Sequence, residues 1–404
     1  MKVKIKPGRA SGTVTAPPSK SMAHRLLISA SLAEGESLVR GISDCEDVRA
    51  TVDCMRALGA VIEISEDVAR VRGVDPRHCM PKGELYCRES GSTLRFITPI
   101  AMLSGHTTML RGADSLMSRP MDVYKKLSDE KGFAFLSDGK SITVKGPLVS
   151  GDYIVVGNIS SQFISGLLFA LPLCEGDSRI NIIPPIESRS YIEMTIAALA
   201  EFGVVCRWCD DHTIYIKGNQ KYTQRDITVE GDWSGTAFTE ALSMLGGEVN
   251  ILGLKEDSLQ GDKVYRRYFE MLRSGVPTIH IGDCPDLGPI LFAVAAARCG
   301  GVFSGTKRLR IKESDRASAM AEELKKFGTA LSVLEDKVVV YPAEFHAPTG
   351  VLSGHNDHRI VMALAVLLTL TGGEIDGAEA VKKSYPGFFR DLASLGIEVE
   401  LYEN

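Results

Sequence analysis

The sequence predicts an α/β protein of two domains, each built from three copies of one strand-and-helix unit. With 404 residues, the chain is longer than one hydrophobic core usually serves, so two domains are expected. Within it, a polar or glycine start leads repeatedly into about a dozen mostly apolar residues, then a glycine-containing turn and a strand. Six such starts divide naturally into three and three. They are Ser19, Gly91, Ser160, Asp232, Asp286 and Asp357, at steps of 72, 69, 72, 54 and 71 residues.

A second marker gives the same register. After each start follows a more amphipathic helix that is predicted to end at a glycine, where a left-handed residue would terminate it. These glycines are Gly59, Gly132, Gly203, Gly275, Gly328 and Gly396, at steps of 73, 71, 72, 53 and 68 residues. Two independent markers therefore indicate six copies of one unit.

The unit is predicted to run strand, buried helix, strand, amphipathic helix, then one or two strands. The first helix of each unit is apolar nearly all round, as in residues 163–173 and 287–297, so it must be buried on every side. The second helix has one polar face, as in residues 315–327, and is expected to cover the outside.

The domain boundaries follow from the repeat. One domain is predicted to span residues 19–226, and the other residues 1–18 together with 227–404, including an N-terminal strand over 2–14. Hinge strands are expected near 15–19 and 225–232. If the buried helices of each domain run parallel, their N-termini gather on one face. Two such faces would enclose an interdomain cleft suited to small, multiply charged anions.

Composition narrows the function classes. A net charge of −5, with 44% hydrophobic and 24% charged residues, is that of an ordinary globular protein and argues against bulk attraction to nucleic acid or a membrane surface. The longest apolar run, residues 360–370, is too short to span a bilayer. Residues 2–6 alternate lysine with aliphatic side chains, which predicts a strand rather than a signal peptide.

The nine cysteines are scattered singly, which favours reduced thiols in the cytoplasm. Cys206 and Cys209, with His212 following, have a spacing that could hold zinc, but a structural zinc site wants four ligands and no second pair is evident.

The first start predicts an anion site. Ser19 is a good N-cap, and it places Lys20, Ser21 and Arg25 in the first turns of a helix. Free backbone N–H groups and the positive end of the helix dipole also lie there. The alternative is a capped surface helix with solvated charges.

Further polar groups stand at the second and third starts. Gly91 lies in Glu89-Ser90-Gly91-Ser92-Thr93-Leu94-Arg95, where the backbone could approach a ligand closely, although a Ser-Gly-Ser run is more often a simple turn. Arg119 precedes Pro120 in a loop and is either solvated or an anion clamp. Ser160, Ser161 and Gln162 exceed what helix capping needs, and Ser188 to Tyr191 begin the partner helix.

The later starts carry most of the charge. Asp286 is either an N-cap or a carboxylate held as a base. Lys312 and Arg316 lie four residues apart and could grip one anion, with Glu313 beside them. Seven cations fall at such positions, which argues against a pure scaffold: Lys20, Arg25, Arg119, Lys312, Arg316, Arg359 and Lys383.

Together these motifs resemble the 5-enolpyruvylshikimate-3-phosphate synthase family of enolpyruvyl transferases. The resemblance spans the chain and is most specific at Lys312-Glu313-Ser314-Asp315-Arg316 and Asn356-Asp357-His358-Arg359. It implies two domains, each of three βαβαββ units. It also implies transfer of the enolpyruvyl group of phosphoenolpyruvate to the 5-hydroxyl of shikimate 3-phosphate, with release of phosphate and no metal or organic cofactor.

The resemblance also implies roles for single residues. Asp286 is expected to be the base on the 5-hydroxyl and Glu313 the acid that protonates the methylene carbon, with Lys20 assisting. Shikimate 3-phosphate would be held by Lys20, Ser21, Arg25, Ser160, Ser161, Gln162, Ser188, Tyr191, Asp286 and Lys312. Phosphoenolpyruvate would be held by Lys20, Gly91, Arg119, Gln162, Arg316, Arg359 and Lys383. A cytoplasmic monomer is expected.

The sequence departs from the family pattern at three positions. Phe96 stands where many members have proline, Glu89 where asparagine is common, and Arg308 where some members have a neutral polar side chain.

Two alternatives stay open at this point. The sister enolpyruvyl transferase that acts on a UDP-sugar commonly uses a cysteine, sometimes an aspartate, in the loop corresponding to residues 112–120; here the loop has Asp114 and no cysteine. A non-catalytic anion-binding scaffold would not need Asp286 and Glu313.

Overall fold

A computed structural model of the chain describes residues 1–403 as alternating strands and helices. The α-helices are α1 Lys20–Leu32, α2 Glu46–Ala57, α3 Gly91–Ala101, α4 Asp114–Met117, α5 Asp122–Lys131, α6 Ser161–Ala170, α7 Arg189–Glu201, α8 Trp233–Met244, α9 Tyr265–Ser274, α10 Gly288–Ala297, α11 Arg316–Lys326, α12 His358–Thr371 and α13 Phe388–Ser394.

The β-strands fall between the helices in the predicted alternation. They are β1 Lys2–Ile5, β2 Ser11–Thr15, β3 Ala33–Glu34, β4 Glu36–Arg40, β5 Val61–Ser65, β6 Val68–Arg72, β7 Leu85–Tyr86, β8 Thr107–Arg111, β9 Ala134–Ser137, β10 Ser141–Lys145, β11 Gly151–Val156, β12 Ser178–Ile183, β13 Cys206–Trp208, β14 Thr213–Ile216, β15 Tyr222–Thr223, β16 Ile227–Thr228, β17 Glu248–Leu252, β18 Thr278–His280, β19 Gly301–Ser304, β20 Leu331–Val333, β21 Lys337–Val340, β22 Leu352–Ser353, β23 Gly373–Asp376 and β24 Val399–Tyr402.

The chain divides into two compact units, each with its own hydrophobic core. Unit 1 is Met1–Pro17 with Gly231–Asn404, and unit 2 is Pro18–Glu230. The second division lies four residues beyond the expected end at 226. The reason is that Ile227 and Thr228 pair in parallel with Val39 and Arg40, which ties this segment to a sheet of unit 2.

Unit 2 repeats one sheet pattern three times. In each sheet the first strand of the repeat runs parallel to the second, and an antiparallel hairpin completes the order. The three orders are β16-β4-β6-β5, β7-β8-β10-β9 and β11-β12-β14-β13. The first repeat thus takes its leading strand from the far end of the unit, which local sequence patterns cannot indicate.

Unit 1 contains two such sheets, with orders β18-β19-β21-β20 and β22-β23-β1-β24, and a parallel pair of β2 with β17. The single N-terminal strand expected over 2–14 is in fact two strands in different sheets, separated at Pro7 and Gly8. In the fourth repeat α9 ends at Ser274 and the next strand begins at Thr278. That repeat therefore has no terminal hairpin within residues 1–403, which explains the short predicted step of 54 residues.

The two predicted kinds of helix are present. Every residue of α10 except Ala297 is buried, whereas α11 exposes a polar face. Five of the six predicted terminating glycines have a left-handed φ of 79° to 111°, whereas Gly275 has a φ of 157°. These turns let each outer helix end and feed the following strand.

No helix of sufficient length and hydropathy to cross a bilayer is present among residues 1–403.

Candidate active site

The start of α1 is built as the sequence indicated. Ser19 caps the helix by accepting a hydrogen bond from the Met22 amide at 3.4 Å. In the first turn, the Lys20 ammonium lies 2.7 Å from an Asp47 carboxylate oxygen at the start of α2. Asp47 was not predicted, because an acidic residue in the first turn of an amphipathic helix usually only complements the helix dipole.

Arg25 is fixed by three neighbours. Its guanidinium donates to the Ser21 carbonyl at 2.7 Å, the Tyr191 carbonyl at 2.9 Å and the Thr195 hydroxyl at 2.8 Å. It also lies 5.2 Å from the centre of the Phe96 ring. Burial lowers the pKa of Arg25 to about 10, so it remains charged at neutral pH. A rigid, desolvated guanidinium of this kind is suited to bind an oxyanion.

Gly91, at the start of α3, lies in a second polar group of unit 2. A Cβ added there would come within 3.0 Å of the Arg119 guanidinium and 3.7 Å of the Gln162 side-chain oxygen. Gln162 is itself oriented, since its oxygen accepts from Arg95 at 2.8 Å and its amide donates to Ser92 at 2.9 Å. The absence of a side chain at Gly91 leaves the backbone open between Arg119 and Gln162.

Arg119 has unused donor capacity. Its Nε and Nη2 atoms are buried and donate to no partner within the described chain. Buried guanidinium donors without partners are costly, so this group is prepared for a negatively charged ligand.

Three serines lie near these groups on the elements that open α6 and α7. Ser160 caps α6 by accepting from the Gln162 amide at 3.3 Å, and Ser161 is buried beside it. Ser188 precedes α7 with a left-handed φ of 58° and makes no side-chain cap bond, so capping does not explain it. Tyr191 follows one turn later, with its ring 5.9 Å from the Arg25 guanidinium carbon.

In unit 1, Asp286 is surrounded by cations. Its carboxylate oxygens lie 2.7 Å from Arg316, 3.2 Å from Lys312 and 3.4 Å from Arg359. The N-cap alternative for Asp286 does not hold, because it lies inside a short 3₁₀ turn, Pro285–Leu287, and caps neither that turn nor α10. The anion that Lys312 and Arg316 were expected to grip together is, within the chain itself, this carboxylate.

Arg316 joins Asp286 to a second carboxylate. It begins α11, and its guanidinium donates to both oxygens of Asp357, at 2.7 and 3.2 Å. Asp357 is fully buried and caps α12 by accepting from the Arg359 amide at 2.9 Å. The amphipathic helix expected over residues 315–327 begins at Arg316, and residues 312–315 of the motif form the loop before it.

Glu313 lies in that loop and contacts His358, whose Nδ1 is 2.9 Å from a Glu313 oxygen. Ligand atoms of Glu313, Asp357 and His358 lie within 4.8 Å of one another, a spacing that could hold a metal ion. However, the Arg316 guanidinium already neutralises Asp357, and its charge opposes a cation there.

Lys383 and Arg359 complete the cluster. The Lys383 ammonium donates to the Asn356 carbonyl at 2.5 Å, and the Arg359 guanidinium lies 5.8 Å from the centre of the Phe238 ring. Both side chains are more than nine-tenths buried.

The charges in unit 1 determine the protonation states of Asp286 and Lys312. Burial would raise the pKa of Asp286, but the charges of Lys312, Arg359 and Arg316 outweigh it and hold that pKa well below its usual range. Burial lowers the pKa of Lys312 to about 8, with Arg308 and Arg316 adding to the effect and Asp286 opposing it. This unit therefore presents an ionised carboxylate beside a lysine that titrates near neutral pH.

The structure thus places the predicted residues in three groups, two in unit 2 and one in unit 1. The group around Arg25 comprises Lys20, Ser21, Arg25, Ser188 and Tyr191. The group around Gly91 comprises Gly91, Arg119, Ser160, Ser161 and Gln162. The group in unit 1 comprises Asp286, Lys312, Glu313, Arg316, Arg359 and Lys383. Asp47 and Thr195 were missed, because neither belongs to a motif at a helix start. Arg308 was noted only as a departure from the family pattern, and Asp357 was predicted as a helix start.

Comparison with known proteins finds similar proteins over nearly the whole length of the chain. A family model described as EPSP synthase (3-phosphoshikimate 1-carboxyvinyltransferase) matches residues 5–392. The 3-phosphoshikimate 1-carboxyvinyltransferase of Clostridium kluyveri is 39% identical, covering 98% of each chain. That of Clostridium acetobutylicum is 40% identical, also covering 98% of each. A solved structure of EPSP synthase from Acinetobacter baumannii superposes with a TM-score of 0.77 at 25% identity, covering 99% of this chain and 100% of that one.

Proposed function

The chain belongs to the EPSP synthase family. We propose which of its residues bind the substrates and which transfer protons in the reaction it catalyses. That reaction transfers the enolpyruvyl group of phosphoenolpyruvate to the 5-hydroxyl of shikimate 3-phosphate and releases phosphate. It belongs to the shikimate pathway of aromatic amino-acid biosynthesis. The observation that carries the residue assignment is the Asp286 carboxylate, contacted by Lys312, Arg316 and Arg359 at 2.7 to 3.4 Å.

The residues of unit 2 are proposed to bind the anionic groups of both substrates. Arg25, with Ser160, Ser161 and Ser188, would hold the phosphate and hydroxyl groups of shikimate 3-phosphate. Arg119 and the open backbone at Gly91 would hold phosphoenolpyruvate. The support is that Arg25 is rigidly held and that Arg119 has buried donors without partners in the described chain.

In unit 1, Arg316, Arg359 and Lys383 are proposed to bind phosphoenolpyruvate, and Lys312 to bind shikimate 3-phosphate. Lys312, Arg316 and Arg359 now share Asp286, and Arg316 also pairs with Asp357. Substrate phosphate and carboxylate groups would take over part of their charge, so the pKa of Asp286 would rise towards its usual value. The base would gain proton affinity when both substrates are in place.

The chemistry then follows as addition and elimination. Asp286 accepts the proton of the 5-hydroxyl as that oxygen bonds to C2 of phosphoenolpyruvate, and Glu313 donates a proton to the methylene carbon. The product is a tetrahedral ketal. In the elimination the Glu313 carboxylate takes back a proton from the new methyl group as the bond between C2 and the phosphate oxygen breaks, which restores the double bond. The departing phosphate takes up the proton held by Asp286, so both residues return to their starting states. His358, at 2.9 Å, can exchange a proton with Glu313, and Lys20 would assist.

The alternative reaction on a UDP-sugar is not favoured, because the loop at residues 112–120 has no cysteine and the relatives carry the name 3-phosphoshikimate 1-carboxyvinyltransferase. A non-catalytic scaffold gives no reason for Asp286 and Glu313.

The decisive assay measures phosphate release from phosphoenolpyruvate with shikimate 3-phosphate or UDP-N-acetylglucosamine in parallel. Release with shikimate 3-phosphate alone is expected, and Asp286→Ala should abolish it in the same assay. Release with the UDP-sugar alone would overturn the substrate assignment.

A cytoplasmic monomer completes the proposal. The support for the compartment is that the cysteines are unpaired thiols among residues 1–403, as in a reducing environment; the monomer is carried over from the family resemblance alone. Light scattering after size-exclusion chromatography should give the mass of one chain, 43.8 kDa; twice that mass would contradict it.

A further inference from the structure

Helix α11 contacts the segment in front of α12 at two points. At its N-terminal end, Arg316 binds both carboxylate oxygens of Asp357. Two turns later stands Glu323, whose side chain is 0% exposed. One Glu323 oxygen lies 2.9 Å from His355 Nε2, and the other accepts from the Ser353 amide at 3.0 Å. Since an ionised carboxylate only accepts hydrogen bonds, Nε2 of His355 carries the proton.

The segment between these points has an unusual backbone. His355 and Asn356 have φ values of 48° and 51°, in the left-handed region that residues with a Cβ rarely adopt. Two such residues in succession persist only where their surroundings fix them. The contacts of Glu323 with His355 and Ser353 provide that restraint.

This turn places two parts of the proposed phosphoenolpyruvate site. It directs the Asn356 carbonyl to the Lys383 ammonium at 2.5 Å. It also sets Asp357 as the N-cap of α12, where it accepts from the Arg359 amide at 2.9 Å. A change in the turn would therefore move Lys383 and Arg359 together.

We propose that Glu323 is a positioning residue for phosphoenolpyruvate, acting through His355 and Ser353 on the turn that sets Lys383 and Arg359. The proposal rests on the function proposed above for those two cations. In this role Glu323 does not contact a substrate. From sequence, a glutamate in the middle of an amphipathic helix is normally a solvated charge, and its complete burial is what excludes that interpretation.

The charges around His355 make the contact sensitive to pH. Glu323, Glu322 and Lys326 face the imidazole, and Lys326 also lies 2.8 Å from the second Glu323 oxygen. The hydrogen bond to Glu323 raises the pKa of His355 above its ordinary value, and Lys326 opposes this. The ion pair is therefore complete below that raised pKa and is lost as the pH increases through it.

The main test compares Glu323→Gln with Glu322→Gln, which makes the same change at the neighbouring exposed position of the same helix. Loss of the charge-assisted contact should raise KM for phosphoenolpyruvate about tenfold in Glu323→Gln, with KM for shikimate 3-phosphate changed less than about twofold. At a pH below the pKa of His355, where the imidazole is charged in both variants, Glu322→Gln should match the wild type, because Glu322 acts on His355 only through its charge. Equal increases in both KM values, or equal behaviour of the two variants, would overturn the proposal.

Because Glu323 is buried, a second variant guards against misfolding. His355→Gln keeps a side-chain N–H donor but does not titrate. In the wild type, KM for phosphoenolpyruvate should increase as the pH rises through the pKa of His355, and this increase should disappear in His355→Gln. A persistent increase in the variant would overturn the role of the pair.

Lys383→Met, assayed in parallel, distinguishes a failure of the positioning role of Glu323 from a failure of the assignment of Lys383 to phosphoenolpyruvate. If it raises KM for phosphoenolpyruvate and Glu323→Gln does not, the positioning role fails and the site assignment stands. If Lys383→Met leaves that KM unchanged, the proposed assignment of Lys383 fails, and with it the premise of the positioning role.

Discussion

Asp286 shows how one side chain can be both strongly held and reactive. Removing its charge in Asp286→Asn should lower kcat by about 10²- to 10⁴-fold, the usual contribution of a general base. Affinity for shikimate 3-phosphate should stay within about fivefold, because Arg25 and the serines of unit 2 are untouched and one lost hydrogen bond is partly replaced by the amide. Steady-state kinetics and isothermal titration calorimetry measure the two effects. Unchanged turnover would remove Asp286 as the base.

Lys312 should make the binding of shikimate 3-phosphate depend on pH. Its pKa of about 8 means that it loses its charge within the usual assay range, and only the charged form attracts an anion. KM for shikimate 3-phosphate should therefore rise above pH 8, approaching about tenfold per pH unit. In Lys312→Arg the cation stays charged, so the rise should vanish. A KM that is flat from pH 7 to about 9.5 in the wild type would contradict the assignment.

Residues inside contiguous motifs were predictable from sequence, and their distant partners were not. Arg25, Arg316 and Asp286 belong to runs of polar residues at helix starts, where N-cap chemistry and the helix dipole give a physical reason to expect an anion. Glu323 and His355 are 32 residues apart and share no local pattern. Their contact depends on how α11 packs beside the segment before α12, which only the folded chain determines.

At the scale of elements, the contact of α3 with α6 depends on Gly166. A Cβ there would come within 2.3 Å of the Tyr124 hydroxyl and 2.4 Å of the Arg95 carbonyl, and the carbonyl belongs to a helix backbone that cannot easily yield. Gly166→Ala should therefore destabilise the protein by about 1–3 kcal/mol, the range for overpacking a core.

Urea denaturation measures this change, and Gly105→Ala is the matched control, since nothing lies within 4 Å of the Cβ it would add. Equal midpoints for the two variants would show that α3 and α6 are not as tightly apposed as described.

The repeat was predictable because its two helices differ in pattern, one apolar all round and one with a polar face. Strands near residues 2–14 and 225–232 were predicted, but their pairing as the leading strands of the fourth and first repeats was not. β16 follows the helices of the first repeat by many residues, and β2 precedes the helices of the fourth repeat by many residues. Each is joined to its sheet by parallel pairing alone. Periodicity identifies a strand but carries no information about a partner strand remote in sequence.

At the scale of the molecule, the two units differ in how the chain builds them. Unit 2 is one continuous segment with its own core, so a fragment of residues 18–230 should fold alone. It should unfold cooperatively in urea, followed by the fluorescence of Trp208, its single tryptophan, and should show no turnover because Asp286 and Glu313 lie in unit 1. A non-cooperative transition would contradict its independence.

Unit 1 should not fold when its N-terminal segment, residues 1–17, is removed. β1 lies inside the sheet order β22-β23-β1-β24, with Val3 and Ile5 at 0% and 1% exposure. A fragment of residues 231–404 should therefore lack cooperative unfolding, and adding residues 1–17 back as a peptide should restore it at least in part. Cooperative unfolding without the peptide would show that the sheet closes without its central strand.

The position of β1 also sets a schedule for biosynthesis. It pairs with β23 and β24, which leave the ribosome much later than β1 because they lie near the other end of the sequence. At about 5–20 residues per second, the N-terminal segment waits roughly 20 to 80 s for its neighbours, while unit 2 has time to fold. During that interval a strand with one apolar face, formed by Val3 and Ile5, is available to chaperones, and unit 1 is completed only after β23 and β24 have emerged.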